Sequence, residues 1–186
     1  MARSRGYDYI IIGAGSAGCV LANRLSADPS ARVLLVEAGG PDRNPLLRVP
    51  LMAGFWFTNR YFNWCFETEP QEHLAGRRIP WPRGKVWGGS SSINGLIYVR
   101  GHPLDYEIWR AQGLADWGWD GVLPFYRKAE HFQSGGDALH GGDGPLPVSR
   151  GTGDHPLSQA FLLAGQQAGH PYCDDFNGAD PVGVGI

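Results

Sequence analysis

Gly13, Gly15 and Gly18 have the spacing GxGxxG and are the first residues of the chain whose types and positions indicate a chemistry. Glycine permits a tight turn at the first position, close approach of the backbone to a pyrophosphate at the second, and close packing of a helix on a strand at the third. The first N–H groups of the following helix would face the phosphates together with the helix dipole, and Ser16 and Ala17 are therefore among the predicted cofactor contacts. This spacing predicts dinucleotide binding.

An acidic residue follows at the distance that a dinucleotide-binding unit requires. Glu37 lies 19 residues after Gly18, at the end of the apolar run RVLLVE. A carboxylate there accepts hydrogen bonds from both ribose hydroxyls of an adenosine and repels a 2′-phosphate, which disfavours NADP. We therefore add Glu37 and the adjacent Ala38 to the predicted cofactor contacts. These residues alone do not distinguish FAD from NAD.

A second glycine-containing motif spans Gly84–Gly101, with the sequence GKVWGGSSSINGLIYVRG. Its small side chains, backbone N–H groups and three serine hydroxyls could pack against a flat ring or a ribityl chain and form hydrogen bonds to it. An ordinary flexible loop is the alternative, but that interpretation fits poorly beside Trp87 and the apolar run Ile93–Val99. The motif is therefore a candidate for a second cofactor contact.

This second motif resembles the first signature of the glucose–methanol–choline (GMC) oxidoreductases, flavoenzymes that bind FAD and oxidise alcohols. The region of Asn63, Trp64 and Glu67, the loop 140–146 (HGGDGPL) and the turn 174–178 (DDFNG) resemble the same family. The resemblance thus covers nearly the whole chain, and it is greatest for the choline dehydrogenases and the bacterial aliphatic alcohol dehydrogenases. It implies that the bound dinucleotide is FAD.

The resemblance also implies which part of FAD each residue of the second motif would contact. Gly88, Gly89 and Ser90 would lie along the diphosphate and the ribityl chain. The isoalloxazine side would be contacted by Val86, Asn94, Gly95, Leu96 and Ile97. Some family members carry, at the position of Ile93, a histidine that is linked covalently to the flavin. Isoleucine cannot form that bond, so we predict non-covalent FAD.

The elements that must position these motifs can be predicted from the apolar patterns. Strands over residues 7–12 and 32–37, with a helix over 17–25, would form a βαβ dinucleotide unit within residues 1–40. The second motif lies within residues 83–101. Between them, residues 38–82 are rich in proline and aromatic residues and predict an irregular excursion.

Three helices are predicted further along, over residues 103–112, 120–132 and 156–168, with Asp120 as the N-cap of the second. The predicted fold class is α/β: residues 1–186 form a Rossmann-like FAD-binding domain of the GMC type, incomplete, with the start of the substrate domain. Only two parallel strands are convincing, and a doubly wound sheet needs more. We therefore expect the chain to be the N-terminal fragment of a longer one.

Composition excludes several other classes. The formal net charge is −2 and no basic run is present, so a nucleic-acid partner is not expected. Three cysteines lie far apart without a CxxC pair, which predicts neither a metal site nor a disulfide framework. An apolar run of about 18 residues, long enough to span a bilayer, is absent from the sequence. A cytoplasmic location is expected, with peripheral membrane association left open.

No residue is assigned a catalytic role. Oxidising an alcohol by hydride transfer to a flavin requires a base near the hydroxyl. The GMC resemblance implies that this base is a histidine near the C-terminus of a much longer chain, and none of the six histidines here matches it. By itself, this chain is expected to be inactive.

For the full-length parent, the expected activity is FAD-dependent oxidation of choline or of a primary or aliphatic alcohol. Its electrons would pass to a quinone or another non-NAD acceptor, or to oxygen. The alternatives are a non-catalytic FAD-binding module, an incomplete domain that binds nothing, and an NAD-linked dehydrogenase. The last would need regular βαβ units after Glu37, where the sequence is instead rich in proline.

Overall fold

The chain divides into two units, Met1–Ile97 and Tyr98–Ile186, in a computed structural model that describes residues 6–186. The first unit begins with strand β1 (Tyr9–Ile12), helix α1 (Ser16–Leu25) and strand β2 (Val33–Val36). The two strands are parallel, and Tyr9 pairs with Val33. The predicted βαβ unit is therefore confirmed, with strand ends that differ by at most two residues from the prediction.

Residues 38–82 form short elements, as their many prolines predict. Two 3-10 turns, Pro45–Arg48 and Pro50–Met52, precede the single-turn helix α2 (Ala53–Trp56). A hairpin follows, in which β3 (Phe66–Glu67) pairs antiparallel with β4 (Pro80–Trp81). The prediction of an irregular excursion is confirmed.

A small apolar cluster forms the core of this first unit. Trp56, Phe62, Val86 and Ile93 are buried together, and Leu47 and Met52 pack against them. The cluster thus takes two aromatic residues from the excursion and two apolar residues from the second motif. It holds the second motif to the excursion by packing, with Trp56 and Phe62 in edge-to-face contact at 5.2 Å.

The buried Asn63 reinforces this attachment with hydrogen bonds. Its Nδ2 donates to the carbonyls of Trp56 and Phe57, at 3.2 and 2.8 Å. Its Oδ1 accepts from the N–H groups of Cys65 and Arg83, at 2.9 and 3.0 Å. Because a buried amide is costly unless it is hydrogen-bonded, this arrangement holds the start of the second motif against the excursion.

The second unit contains three helices and a short parallel pair of strands. The helices are α3 (Pro103–Ala111), α4 (Trp119–Ala129) and α5 (Pro156–Gln167). The strands are β5 (Glu130–Phe132) and β6 (Leu146–Val148). The predicted helices are confirmed at all three places, although the second has different ends.

Two details of helix α4 differ from the prediction. Its N-cap is Gly118 and not Asp120, because the helix already begins at Trp119, whose N–H donates to Glu107 Oε1 at 3.0 Å. The helix ends at Ala129 and does not continue to Phe132. Residues from Glu130 onward pair instead with β6, so a strand partner distant in sequence overrides the local helical pattern.

Within residues 6–186, no helix is both long enough and apolar enough to cross a membrane. The part of the chain that the structure describes also holds no group of three or more His, Cys, Asp or Glu side chains arranged to bind a metal ion.

Candidate functional site

The three glycines of the first motif occupy positions with different physical demands. Gly13 has φ +95°, a left-handed conformation that favours glycine, and its N–H donates to Val36 O at 2.7 Å. Gly18 is buried, and a β-carbon there would collide with the carbonyl of Gly13. The fold therefore requires glycine at both positions.

Gly15 differs from both, because the protein itself does not require a glycine there. Its φ is −77°, which any residue adopts. Among the described residues, no atom lies within 4 Å of where a β-carbon on Gly15 would be. It is the N-cap of α1, and within the described chain no side chain caps that helix. The open space and uncapped N–H groups form a cradle suited to a phosphate.

The carboxylate of Glu37 holds this glycine turn directly. Its Oε2 accepts a hydrogen bond from the Ala14 N–H at 2.7 Å, and its Oε1 accepts from the Gly39 N–H at 2.8 Å. Each carboxylate oxygen can accept further bonds. Glu37 can therefore hold the loop and still receive two hydroxyl donors such as those of a ribose.

The second motif lies directly against the first. The Gly88 N–H donates to Ala14 O at 2.8 Å, and the Trp87 N–H donates to Gly40 O at 3.0 Å. A β-carbon on Gly89 would come within 2.8 Å of Gly15 Cα. The main chains of the two motifs thus touch with no side chain between them.

Four hydrogen bonds close these contacts into one circuit, which we call the hydrogen-bonded ring. It passes through Glu37, Ala14, Gly88, Trp87, Gly40 and Gly39, in that order. Gly39 has no room for a side chain, because a β-carbon there would meet the backbone of Lys85 and Val86. These hydrogen bonds therefore connect the Glu37 carboxylate, the glycine turn and the second motif in one continuous network.

The serine hydroxyls of the second motif are engaged within the protein. Ser91 Oγ donates to Gly88 O and Ser92 Oγ donates to Trp87 O, both at 2.7 Å. Ser90 Oγ accepts from the Gly84 N–H at 3.1 Å. These bonds hold residues 89–92 in a 3-10 turn. The hydroxyl hydrogen of Ser90 remains free to donate, whereas the hydroxyl hydrogens of Ser91 and Ser92 are donated within the turn.

Residues after the serines line a cavity of about 200 Å³. Ile93 and Trp56 form part of its wall, together with Asp42 and Arg48. Leu96 has φ +62°, which is uncommon for a residue with a side chain. Its N–H donates to Asn94 Oδ1 at 3.0 Å. Such a backbone outlier is typical of functional sites.

The structure places the predicted contacts in two groups. One group lies on or beside the hydrogen-bonded ring and consists of Gly13, Gly15, Ser16, Ala17, Gly18, Glu37, Ala38, Gly88, Gly89 and Ser90. The other follows it in the chain as the exposed segment Asn94, Gly95, Leu96 and Ile97. Val86 belongs to neither, since its side chain is fully buried in the core, and only its main chain could contact a cofactor.

The predicted contacts omitted four residues of the ring, namely Ala14, Gly39, Gly40 and Trp87. The glycine pair that follows Ala38 is a signal that could have found two of them, because adjacent glycines often mark close backbone approach. Ala14 offers no such signal. Its role depends on its N–H and carbonyl, which every residue except proline possesses.

The second unit contains a separate buried polar network. Arg100 Nη2 lies 2.6 Å from Glu130 Oε2, and both side chains are almost completely buried. The Gly141 N–H also donates to Glu130 Oε2 at 2.8 Å, and Arg100 Nη1 donates to Leu139 O at 2.6 Å. Through Arg100, the network joins the end of the second motif to the loop 140–146.

Two residues beside this network have shifted pKa values. Backbone hydrogen bonds from His140 and Leu139 lower the pKa of the Asp137 carboxyl. Burial and the hydrogen bond to Tyr126 raise the pKa of Tyr106 to about 12. His140 Nδ1 lies 3.0 Å from Asp137 Oδ1, so this histidine is a structural partner. His102 and His155 are also structural, since each caps a helix.

A parallel βαβ unit with a glycine turn, an uncapped helix N-terminus and an acid after the second strand defines a dinucleotide-binding fold. The family model for GMC oxidoreductases matches residues 7–186. The chain therefore belongs to the GMC oxidoreductase family, whose members are FAD-dependent flavoproteins.

Individual relatives agree with this membership. The chain is 52% identical to an alcohol dehydrogenase (acceptor) of Pseudomonas putida, over 97% of this chain and 33% of that protein. It is 48% identical to the mitochondrial choline dehydrogenase of Homo sapiens, over 96% of this chain and 31% of that protein. The chain thus spans about a third of the length of these curated relatives.

Solved structures share the fold. Pyridoxine 4-oxidase from Mesorbium loti superposes with a TM-score of 0.88 at 39% identity, covering 96% of this chain and 35% of the other. A formate oxidase superposes with a TM-score of 0.81 at 29% identity, covering 94% and 32%. The predicted fold class, an incomplete FAD-binding domain of the GMC type, is confirmed.

Proposed function

We propose that this chain is the FAD-binding portion of an oxidoreductase that acts on the CH–OH group of an alcohol, either choline or a primary or aliphatic alcohol. The hydrogen-bonded ring carries this proposal, because it joins an acid suited to a ribose, a cradle suited to a diphosphate and the second motif in one site. When bound, FAD supplies the acceptor for the hydride of the alcohol. FAD is held non-covalently, since Ile93 offers no nucleophile.

Each part of the ring has a role toward the cofactor. Glu37 accepts hydrogen bonds from the adenosine ribose, while Ala38 lies beside it. The N–H groups at the start of α1, those of Ser16 and Ala17, donate to the diphosphate where Gly15 leaves room. Gly13 and Gly18 shape the turn. The same carboxylate repels a 2′-phosphate, which disfavours NADP.

The second motif binds the rest of the cofactor. Gly88, Gly89 and Ser90 lie along the diphosphate and ribityl chain, where the Ser90 hydroxyl can donate. The backbone of Val86 and the exposed segment Asn94–Ile97 contact the isoalloxazine. No residue of this chain is proposed as the catalytic base. In the first unit the described histidine is His73, which lies in the 3-10 turn Glu72–Leu74, outside the ring.

The domain organisation follows the same division. Residues 1–40 form the dinucleotide unit and residues 83–101 the second motif, both within an N-terminal FAD-binding portion over 1–186. The electron acceptor is a quinone or another acceptor other than NAD, with oxygen as the alternative. We propose a cytoplasmic location, with peripheral attachment to a membrane as the alternative.

The test is to purify the natural full-length protein that carries this sequence and to record its visible spectrum. We expect flavin absorption that bleaches anaerobically on addition of choline or of a primary alcohol. Choline and a straight-chain alcohol, compared side by side, identify the substrate class. NAD, a quinone analogue and oxygen, supplied separately, identify the acceptor.

Two outcomes would contradict the proposal in different ways. Bound flavin that no alcohol bleaches would favour a non-catalytic FAD-binding module. A colourless protein that retains NAD would mean that the βαβ unit serves an NAD-linked dehydrogenase.

A further inference from the structure

The segment that follows Asn94–Ile97 lacks regular secondary structure and is held from the side. Residues 98–102 belong to no helix or strand, so no regular pattern of backbone hydrogen bonds holds them. Their main-chain groups must find other partners. Two of these groups, the carbonyl of Tyr98 and the N–H of Arg100, bond to a single side chain.

That side chain is Asn177, in the turn 174–178. Its Nδ2 donates to Tyr98 O at 3.0 Å, and its Oδ1 accepts from the Arg100 N–H at 2.8 Å. In an extended chain, the carbonyl of one residue and the N–H of the second residue after it point to the same edge. The Asn177 amide therefore forms the two hydrogen bonds with the main chain that a neighbouring β-strand would form.

Only one orientation of the Asn177 side-chain amide satisfies both hydrogen bonds. Turning the amide around would set its NH₂ group against the Arg100 N–H and its oxygen against Tyr98 O. Asn177 is itself oriented, because its own N–H donates to Asp175 Oδ1 at 2.8 Å. Both the donor and the acceptor of the side-chain amide are thus used on one short stretch of backbone.

The Arg100 side chain reinforces the same stretch. It is anchored in the buried pair with Glu130 described above. The main chain is therefore fixed at residues 98–100, immediately after the exposed segment 94–97. A segment that is exposed along its length but fixed at its end has fewer accessible conformations than a free loop.

We propose that Asn177 is a positioning residue for the flavin. By holding Tyr98 and Arg100, it sets the course of residues 94–97, which contact the isoalloxazine in the proposed function on which this inference rests. Asn177 itself acts through the backbone and does not touch the flavin. This assigns a role to the DDFNG turn, which the cofactor motifs leave unexplained.

Three variants of the natural full-length holoprotein test this role. Asn177→Leu removes both hydrogen bonds at similar size. Asn177→Asp keeps the acceptor for Arg100 but loses the donor to Tyr98. Asp174→Asn is the matched control, because Asp174 lies in the same turn but is exposed and bonds to Arg150, at 2.8 Å.

The first measurement is amide hydrogen exchange at Arg100. We expect exchange to be roughly tenfold faster in Asn177→Leu, the effect of about one lost hydrogen bond. Exchange should stay near the native rate in Asp174→Asn. Asn177→Asp retains the acceptor and should fall between these two.

The second measurement follows the flavin. In both Asn177 variants we expect FAD content to stay native while the flavin absorption bands shift. The rate constant of flavin reduction by the alcohol should fall by about 10- to 100-fold, since small misplacements of reacting groups are costly. The control should match the native protein in both respects.

The outcomes separate this inference from the proposed function. If the native protein holds no FAD, the proposed function fails. If it holds FAD, and the Arg100 amide loses protection while spectrum and reduction rate stay native, only the positioning role fails. If neither Asn177 variant folds with FAD while the control does, Asn177 is a stability residue and the positioning role is likewise overturned.

Discussion

Glu37 and Ala14, 23 residues apart in sequence, are joined by a 2.7 Å hydrogen bond from the Ala14 N–H to the Glu37 carboxylate. The carbonyl of the same alanine accepts the Gly88 N–H of the second motif. One alanine thus connects the acid after β2 to both glycine turns. The first and second motifs of the proposed cofactor site are therefore directly hydrogen-bonded, and a substitution in one motif should alter the conformation of the other.

Substitutions at two glycines should separate folding from cofactor binding. Gly15→Ala is expected to leave thermal stability nearly unchanged, because the described structure has open space there and φ is ordinary. It should nevertheless weaken FAD binding roughly tenfold or more, since the new methyl group occupies the phosphate cradle. The measurement is a melting temperature together with titration of the apoprotein with FAD.

Gly18→Ala is the matched comparison. Its methyl group would strike the Gly13 carbonyl, so we expect a loss of stability of roughly 1–3 kcal/mol. Equal destabilisation by the two substitutions would contradict the assignment of Gly15 to ligand binding.

Replacing Glu37 should weaken both the ring and the ribose contact. Glu37→Gln keeps the size of the side chain but replaces one of its two acceptor oxygens with a donor. We expect the dissociation constant for FAD to rise roughly 10- to 100-fold, as for the loss of hydrogen bonds to a charged group. Flavin fluorescence during titration measures it. Glu69→Gln, at a side chain that is 88% exposed, is the control and should bind FAD normally.

The flavin should leave the protein when the protein is denatured. Ile93 is 3% exposed in the apolar cluster and carries no nucleophilic atom, so a covalent link cannot form there. After acid precipitation, all of the yellow colour should be in the supernatant. Fluorescence that stays with the polypeptide on a denaturing gel would refute non-covalent binding.

The losses of stability caused by substituting Arg100 and Glu130, which form a buried pair, should be strongly non-additive. Glu130→Met alone leaves a buried guanidinium without its partner and should cost about 3–5 kcal/mol. The double variant Arg100→Met, Glu130→Met should recover part of that loss, because no buried charge remains. Recovery should be incomplete, since the Gly141 N–H and Leu139 O lose their partners as well.

A double-mutant cycle in urea measures this coupling. The exposed pair Arg78–Glu69, at 3.7 Å, provides the comparison, and its coupling should be below about 1 kcal/mol. Similar coupling in the two pairs would show that burial does not govern the Arg100–Glu130 interaction.

Asp137 should contribute stability that depends on pH. Its carboxyl accepts the backbone N–H groups of His140 and Leu139, which lower its pKa below the usual 3.8. A carboxyl with a lowered folded-state pKa stabilises the fold above its unfolded pKa, and this contribution disappears as pH falls through the folded value. Asp137→Ala should therefore lower the urea midpoint at neutral pH, with a smaller difference in acid.

The control for this pH dependence is Asp143→Ala, since Asp143 is exposed in the neighbouring loop. Its effect should be small at both pH values. A difference between Asp137→Ala and the native protein that is constant from neutral pH into acid would argue against the ionised carboxylate as the cause.

Local patterns were sufficient for the first motif and for most helices. The βαβ unit follows from two short apolar runs, a glycine turn between strand and helix, and an acid after the second strand, all within a short stretch. Helices α3 and α5 begin at Pro103 and Pro156 as their sequences indicate. The predicted end of α4 was wrong because Glu130 pairs with Leu146 of β6, which lies 16 residues further along the chain.

The sequence by itself determined the family, the βαβ unit and the residue types able to bind a dinucleotide, because these depend on short-range periodicity and on motifs of contiguous residues. Only the tertiary structure decided that Gly88 meets Ala14, that the hydroxyls of Ser91 and Ser92 are already engaged, and that Asn177 holds the last residues of the second motif. Main-chain N–H and carbonyl groups make or receive these bonds. Since nearly every residue carries the same two groups, side-chain identity cannot reveal which of them meet until the chain is folded.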